Sequence, residues 1–346
     1  MRYVDYTSII NLAWSKFGSS KKIDKVEDIS AKVSTNHVFK VKFTSGKFII
    51  AKLSHFGRHE YFKEDHIIIN ALANNLLYPY EQFIARSLIK KNEVFTYRYK
   101  RSGIDIWLVF YNPIRRKETL PKILTEAQVK NCGEQMGLLH LECEDVLEEI
   151  PASSKSMFSD IEDFKYELRQ GDHPRYFPDQ VDYLLQQCDL FFQNAAKCGY
   201  DRFHRIPVFV DWNIGNFSVD EQNNFYARWD YDWFRVSPRM MDFYFWSRVV
   251  REEGDQTIFS YNIETFLEDR FILFLKSYHQ TYPLSEGELR FLPECYRFFI
   301  LHYVTRLGQY FFLPHYADRL KSEAIATYLP SVDSFSIDKI LDIRTR

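Results

Sequence analysis

The 346-residue chain has no apolar run near the ~18 to 20 residues that cross a bilayer; candidates such as Phe271–Leu275 are short and bounded by charge. A membrane-spanning protein is not expected. Neither sign of charge prevails: 45 Lys and Arg face 47 Asp and Glu, a formal net charge of −2, so the chain as a whole is not drawn to nucleic acid or to an anionic membrane. Any anionic ligand must be held locally. Cysteine is scarce. Cys132, Cys143, Cys188, Cys198 and Cys295 are odd in number and form no C-x-x-C pair, which suits buried reduced thiols rather than disulfides or zinc ligands. Asp5 precedes any apolar block, so the N-terminus lacks the layout of a secretory signal, and a cytoplasmic protein is expected. Repeats and low-complexity tracts are also missing.

The chain is 46% hydrophobic and 27% charged, a globular balance that rules out collagen-like or wholly disordered classes. At ~150 residues per domain, its length allows about two domains or lobes. The texture changes once, near residue 110. Before it, Val38–Phe43 and Phe48–Leu53 alternate around the turn Thr44–Lys47 and predict a hairpin. Residues 59–75 carry helical spacing through Phe62, His66, Ile69 and Leu72. Two more strands are predicted at Val94–Tyr99 and Ile106–Phe110, with Arg101–Gly103 turning between them. Beyond residue 120 the pattern is helical, over 126–141, 179–198, 263–279 and 286–312, except for a strand-rich island at 207–229. A small sheet with one helix, a crossing segment and a larger helical body make a two-lobed α+β plan. Such a plan leaves a cleft in which small ligands commonly bind.

The island carries the chemistry. An apolar strand, Pro207–Val210, delivers Asp211; a loop delivers Asn216; and a second hairpin arm ends at Asp230. Phosphoryl transfer needs an Asp to orient the attacking hydroxyl, and an Asn and an Asp to hold Mg2+ on the phosphates. In the protein-kinase catalytic loop these Asp and Asn lie five positions apart, as do Asp211 and Asn216. Oxygen donors without His or Cys suit a hard cation. The competing reading is local: Asp211 and Asn216 cap a tight loop through backbone amides.

With Asp211-Trp212-Asn213-Ile214-Gly215-Asn216-Phe217, Trp229-Asp230-Tyr231-Asp232 and Pro238-Arg239-Met240-Met241-Asp242 in view, the sequence resembles the aminoglycoside phosphotransferase and choline kinase superfamily, including its homoserine-kinase-like and spore-coat-kinase-like branches. The resemblance implies a two-lobed protein-kinase-like fold: a small antiparallel-sheet nucleotide lobe over 1–110, a hinge at about 109–114, and a helical lobe with the catalytic hairpin over 111–346. It also implies ATP, Mg2+ and a small hydroxyl-bearing substrate such as an amino alcohol, a sugar or an aminoglycoside-like compound. By the same resemblance Asp211 is the catalytic residue, and Asn216 and Asp230 hold the metal. Phe209 departs from the pattern, which has His there as a packing and hydrogen-bonding support. A catalytically impaired module that binds nucleotide or a partner is therefore the alternative.

The family places its nucleotide lysine where Lys52 stands. Ala51 and Leu53 flank it, so it points to the opposite strand face from both, toward a phosphate if that face is the cleft. Glu64 on the following helix is the expected ion-pair partner, with Glu60 as rival. Ser34, Thr35 and Asn36 fall in the phosphate loop, which contains no glycine, so donors there are amides and hydroxyls without the usual freedom of close approach. Phe110 and Asn112 fall in the hinge, whose backbone reads the adenine edge; a plain strand terminus describes them equally well. On the acceptor side, Trp212, Tyr231, Asp232, Trp233, Tyr244, Trp246, Glu252 and Glu253 suit a cationic alcohol. Arg235, Arg239, Arg248 and Arg251 suit an anionic one. Core packing or solvent exposure is the stronger explanation for most of them. Asp242 is expected to tether a loop or cap a helix. The protein is expected to be a monomer or homodimer.

Overall fold

The computed structural model describes residues 4–30, 37–55, 57–101, 103–170, 178–254 and 259–344. The chain opens with a helix that its sequence pattern did not announce, α1 (Tyr6–Phe17). Asp5 caps it by accepting from the Ser8 N–H at 3.0 Å, and Gly18, at φ 81°, ends it in the left-handed conformation that glycine adopts without cost. Strands β1 (Ile23–Asp28), β2 (His37–Phe43) and β3 (Phe48–Ser54) follow, then α2 (His59–Asn75). A short hairpin, β4 (Ile89–Lys90) and β5 (Glu93–Val94), leads to β6 (Thr96–Arg101) and β7 (Ile104–Tyr111). Five of these strands form an antiparallel sheet in the order β1-β2-β3-β7-β6.

The sheet has two unlike faces. One packs Ala51, Leu53 and Phe110 on Ile9, Ile10, Ala13 and Trp14 of α1. The other places Trp107, Val109 and Tyr111 against α2, and that core runs without a break into the helical lobe. Period-two alternation along β3 and β7 sorts the side chains onto these faces, so Lys52, between Ala51 and Leu53, lies on the α2 side.

In the larger lobe, α3 (Glu126–Asp145) and α4 (Met157–Arg169) begin with reciprocal capping boxes, Thr125 with Gln128 and Ser156 with Ser159. α5 (Pro178–Cys198) leads to β8 (Arg205–Val208), then the hairpin of β9 (Phe217–Val219) and β10 (Phe225–Arg228), and β11 (Arg235–Pro238), which returns to pair with β8. α6 (Phe243–Val249), α7 (Asp269–Thr281) and α8 (Glu286–Phe299) complete the core. Gly133 on α3 lets α7 approach, since a Cβ there would meet the Phe274 carbonyl at 2.4 Å.

Two predicted helices are corrected. The stretch 263–279 breaks at Glu268, which is extended (ψ 138°) between a 3-10 turn capped by Asn262 and α7. The stretch 286–312 is regular only to Phe299; it widens into a π-helix over Ile300–Arg306 and restarts as α9 (Gly308–Phe311) and α10 (Pro314–Glu323). Thr305 Oγ1 donates to the Ile300 carbonyl at 2.8 Å and the Leu307 N–H to that of His302 at 3.0 Å, both across five residues. No helix among the described residues is long and apolar enough to cross a membrane.

Candidate active site

β8 ends at Val208, and the chain turns so tightly that the Asp211 N–H donates to the Phe209 carbonyl at 2.7 Å. Val210, between them, is held at φ 62°. A β-branched residue there is strained by roughly 1–3 kcal/mol, so surrounding structure must impose it. Asp242 does so: its buried Oδ1 accepts from the N–H groups of Phe209 (2.9 Å) and Val210 (2.5 Å), while Oδ2 is hydrogen-bonded to His140 at 3.0 Å. Asp242 is thus the loop tether expected of it. The turn presents Asp211, whose Oδ1 accepts from the Asn213 side chain at 2.5 Å.

Asn216 closes this loop. Its side-chain amide points to the Asp211 carbonyl at 3.4 Å, and its own carbonyl accepts from the Trp229 N–H at 3.0 Å. That last bond draws the end of β10 alongside, so Asp230 follows directly, at φ 71°. Asp211, Asn216 and Asp230 are therefore brought onto adjoining turns. Burial pushes the Asp211 carboxyl up to about 6, and the charge of Asp230 adds to it, against Arg228 and Arg248 acting downward. Among the described residues no three His, Cys, Asp or Glu side chains form a ready metal cluster. The oxygen set here is two carboxylates and an amide. That set fits a hard cation that completes its shell with further oxygen ligands.

Lys52 meets this hairpin from the sheet. Its Nζ lies 2.8 Å from Asp230 Oδ1 and 2.7 Å from Asp232 Oδ1, and the side chain is only 5% exposed. Burial pulls the ammonium down, but the two carboxylates outweigh it and hold its pKa above the ordinary value. Burial pushes Asp230 up and Lys52 more than reverses this, whereas Asp232 stays raised by burial and by its neighbour Asp230.

Other expected site residues lie elsewhere. Glu64 is not the partner of Lys52: its Oε1 accepts from the Ser154 N–H at 2.7 Å and from Ser153 Oγ at 3.1 Å. The reason is helical phase. The face of α2 that meets the sheet carries Phe62 and His66, and Glu64 stands about 200° around from both. The slot nearest the sheet holds His66 instead, bonded to the Tyr111 hydroxyl at 2.5 Å and kept neutral by burial, with its pKa near 3. Glu60 reaches Arg98 at 3.5 Å. Phe110 faces the α1 core, and its carbonyl accepts from the Leu88 N–H at 2.7 Å; the Asn112 N–H donates to the Arg86 carbonyl at 2.9 Å. Both of these hinge groups are committed to the 86–88 segment, which extends the sheet edge there. Ser34, Thr35 and Asn36 lie outside the described residues.

No known family profile matches the sequence, and no curated protein matches it. Solved structures do. An amicoumacin kinase in complex with AMP-PNP, Ca2+ and Ami superposes with a TM-score of 0.63 at 14% identity, covering 98% of this chain and 97% of that one. A microcompartment-associated aminopropanol kinase gives 0.62 at 14% identity over 97% and 99%, and choline kinase LicA from Streptococcus pneumoniae 0.57 at 15% over 95% and 100%. The chain has the two-lobed fold of the aminoglycoside phosphotransferase and choline kinase superfamily.

Within this kinase fold a cavity of about 710 Å³ opens beside Tyr231 and Asp232. Its walls come from the start of α2, from α4 and from the π-helix. Arg235 pairs with Asp160 at 2.8 Å and donates to the Tyr303 hydroxyl at 3.3 Å; Arg306 pairs with both Asp163 (3.5 Å) and Glu167 (2.5 Å). His302 is buried against Phe298 and stays neutral, its pKa near 3 because of burial. The α4 acids escaped the sequence reading. The signal available was their spacing: Asp160, Asp163 and Glu167 share one helix edge at i, i+3 and i+7, beside the apolar stripe Ile161, Phe164 and Leu168. Among the acceptor-side aromatics, Trp212 and Trp246 are fully buried and Tyr244 nearly so, in keeping with a packing role.

Proposed function

We propose that the protein is an ATP-dependent phosphotransferase that acts on the hydroxyl of a small molecule. The observation that carries this reading is the junction of the strained Asp211 loop, the Asp230 turn and Lys52, supported by a fold shared with kinases of small alcohols. The acceptor oxygen attacks the terminal phosphorus of ATP, the bond from that phosphorus to the bridging oxygen breaks, and ADP leaves. Asp211 orients the hydroxyl and receives its proton late in transfer, when bond formation makes that proton acidic. The pKa near 6 leaves it mostly ionised at neutral pH and within reach of that proton. Lys52 gives up part of its pairing with Asp230 and Asp232 to neutralise the donor phosphates. Asn216 and Asp230 would hold Mg2+, which when bound supplies further positive charge to those phosphates.

We assign the acceptor to the cavity beside Asp232, two residues along from Asp230. Its wall carries both acids, Asp163 and Glu167 among them, and cations, Lys155, Arg306 and Lys321 among them, which suits a polar, hydroxyl-bearing acceptor. Phe209, which cannot hydrogen-bond through its side chain, favours a second reading as a binding module without transfer.

An ATP-consumption screen over amino alcohols, sugars and aminoglycosides tests the first reading. Asp211→Asn in the responding reaction is expected to lower kcat by at least about a hundredfold, with nucleotide affinity little changed. Full turnover in that variant removes Asp211 from the chemistry. Nucleotide binding with no turnover on any acceptor favours the module.

A further inference from the structure

Beneath the two loops lies a charge that the proposed chemistry does not use. Arg228, the last residue of β10, is fully buried, and its guanidinium sits 4.5 Å from the ring of Phe209 and 4.4 Å from that of Trp212. Nη2 donates to the carbonyl of Asp211 at 2.7 Å. Nε and Nη1 have no hydrogen-bond partner among the described residues. The nearby acids Asp242, Asp211 and Asp230 act on it through space.

Such a residue is a poor core filler. A buried charge with one hydrogen bond costs free energy that an apolar side chain between two aromatic rings would not. What it gains is position, because it donates to the backbone of the residue that carries the proposed base. Asp242 in turn grips the Phe209 and Val210 N–H groups. The turn that holds Val210 at φ 62° is therefore clamped by a carboxylate on two amides and a guanidinium on a carbonyl. Phe209, where the family pattern has a hydrogen-bonding His, contributes only the ring on which the guanidinium rests.

We propose that Arg228 is a positioning residue, supplying from inside the core the polar tether that Phe209 lacks and so aiming Asp211 at the acceptor. This rests on Asp211 being the base.

Arg228→Met keeps the stack between the rings and removes the donor. Its melting temperature is expected to equal or exceed that of the wild type, while kcat falls about tenfold, the size of one lost hydrogen bond to a charged group. The KM for ATP is expected to stay within roughly twofold, and Phe209→His in the same background to recover part of kcat. A kcat within about twofold of wild type overturns the proposal. So does a fall in kcat that comes with a lower melting temperature, the mark of simple core packing. If the Met variant does not fold, the double variant Phe209→His/Arg228→Leu takes its place: near-wild-type kcat supports the exchange of one tether for another, and lost kcat in a folded double overturns it. Should the wild type show no turnover on any acceptor, the base assignment fails, yet the tether is still decided by amide hydrogen exchange. Faster exchange in Arg228→Met confined to residues 209–216 supports it, and unchanged exchange there overturns it.

Discussion

Two groups of acids join the sheet lobe to the helical lobe, and they do so differently. Asp230 and Asp232 come from the helical lobe and converge on Lys52 of β3. Glu64 and Asp65 come from α2 and reach the other way, to Ser153, Ser154 and Lys155. The first group gathers two carboxylates around one buried ammonium at the candidate site. The second pairs one acid with one lysine, Asp65 with Lys155 at 2.6 Å, and spends the other acid on a neutral segment. The contrast separates charge concentrated at the candidate site from charge spent along the seam between α2 and the helical lobe.

The strongest way to break that contrast is Lys52→Met. It leaves Asp230 and Asp232 facing each other without their cation, and removal of one partner from a buried pair costs about 3 kcal/mol or more. Denaturant unfolding is expected to show a loss of that order, and adding Asp232→Asn is expected to restore part of it. Equal loss in the single and double variants shows that the two carboxylates do not repel through the missing lysine.

Two neutral histidines sharpen the comparison through pH. His66 beside Lys52 and His302 beside Asp160 are each depressed by burial to about 3, below the ordinary value of 6.5. The unfolded chain therefore binds protons that the folded chain refuses, so their contribution to stability is present above pH 6.5 and lost as pH falls toward 3. Between pH 6.5 and 5 each histidine is expected to cost about 2 kcal/mol, and His302→Gln to flatten the descent of the melting temperature. An unchanged slope shows that His302 is protonated as readily in the folded chain as in water. The α2 seam itself responds less: Asp65→Asn leaves Lys155 without its acid and is expected to cost about 1–2 kcal/mol, with nucleotide binding unaltered by thermal shift.

What the sequence could disclose follows the range of the forces involved. α2 spans the predicted 59–75, because Phe62, His66, Ile69 and Leu72 repeat the phase of a single buried face. β2 and β3 are also where alternation puts them, and the approach of Asn216 to Asp211 follows from a loop too short to separate them. The partner of Lys52 was not legible, since Asp230 lies 178 residues away and nothing local marks the pair. Nor was Arg228, which reads as an ordinary hairpin residue until Phe209 and Trp212 close over it. The π-helix has no sequence periodicity of its own, and Glu268 breaks a helix that apolar spacing alone would continue.

The smallest effect is expected at Glu64, and it is the one that tests helical phase directly. Glu64→Gln removes charge but keeps an oxygen able to accept from the Ser154 N–H and Ser153 Oγ. Because those donors are neutral and the Ser154 bond is solvent-exposed, the change is expected to cost under about 1 kcal/mol. If Glu64 served Lys52 in the nucleotide-bound state, α2 would have to rotate by about 200° and pull Phe62 and His66 out of the core. Nucleotide affinity in Glu64→Gln should therefore match that of the wild type. A drop of about tenfold or more would mean that the helix does turn, and that the latch to Ser153 and Ser154 is only the resting half of a switch.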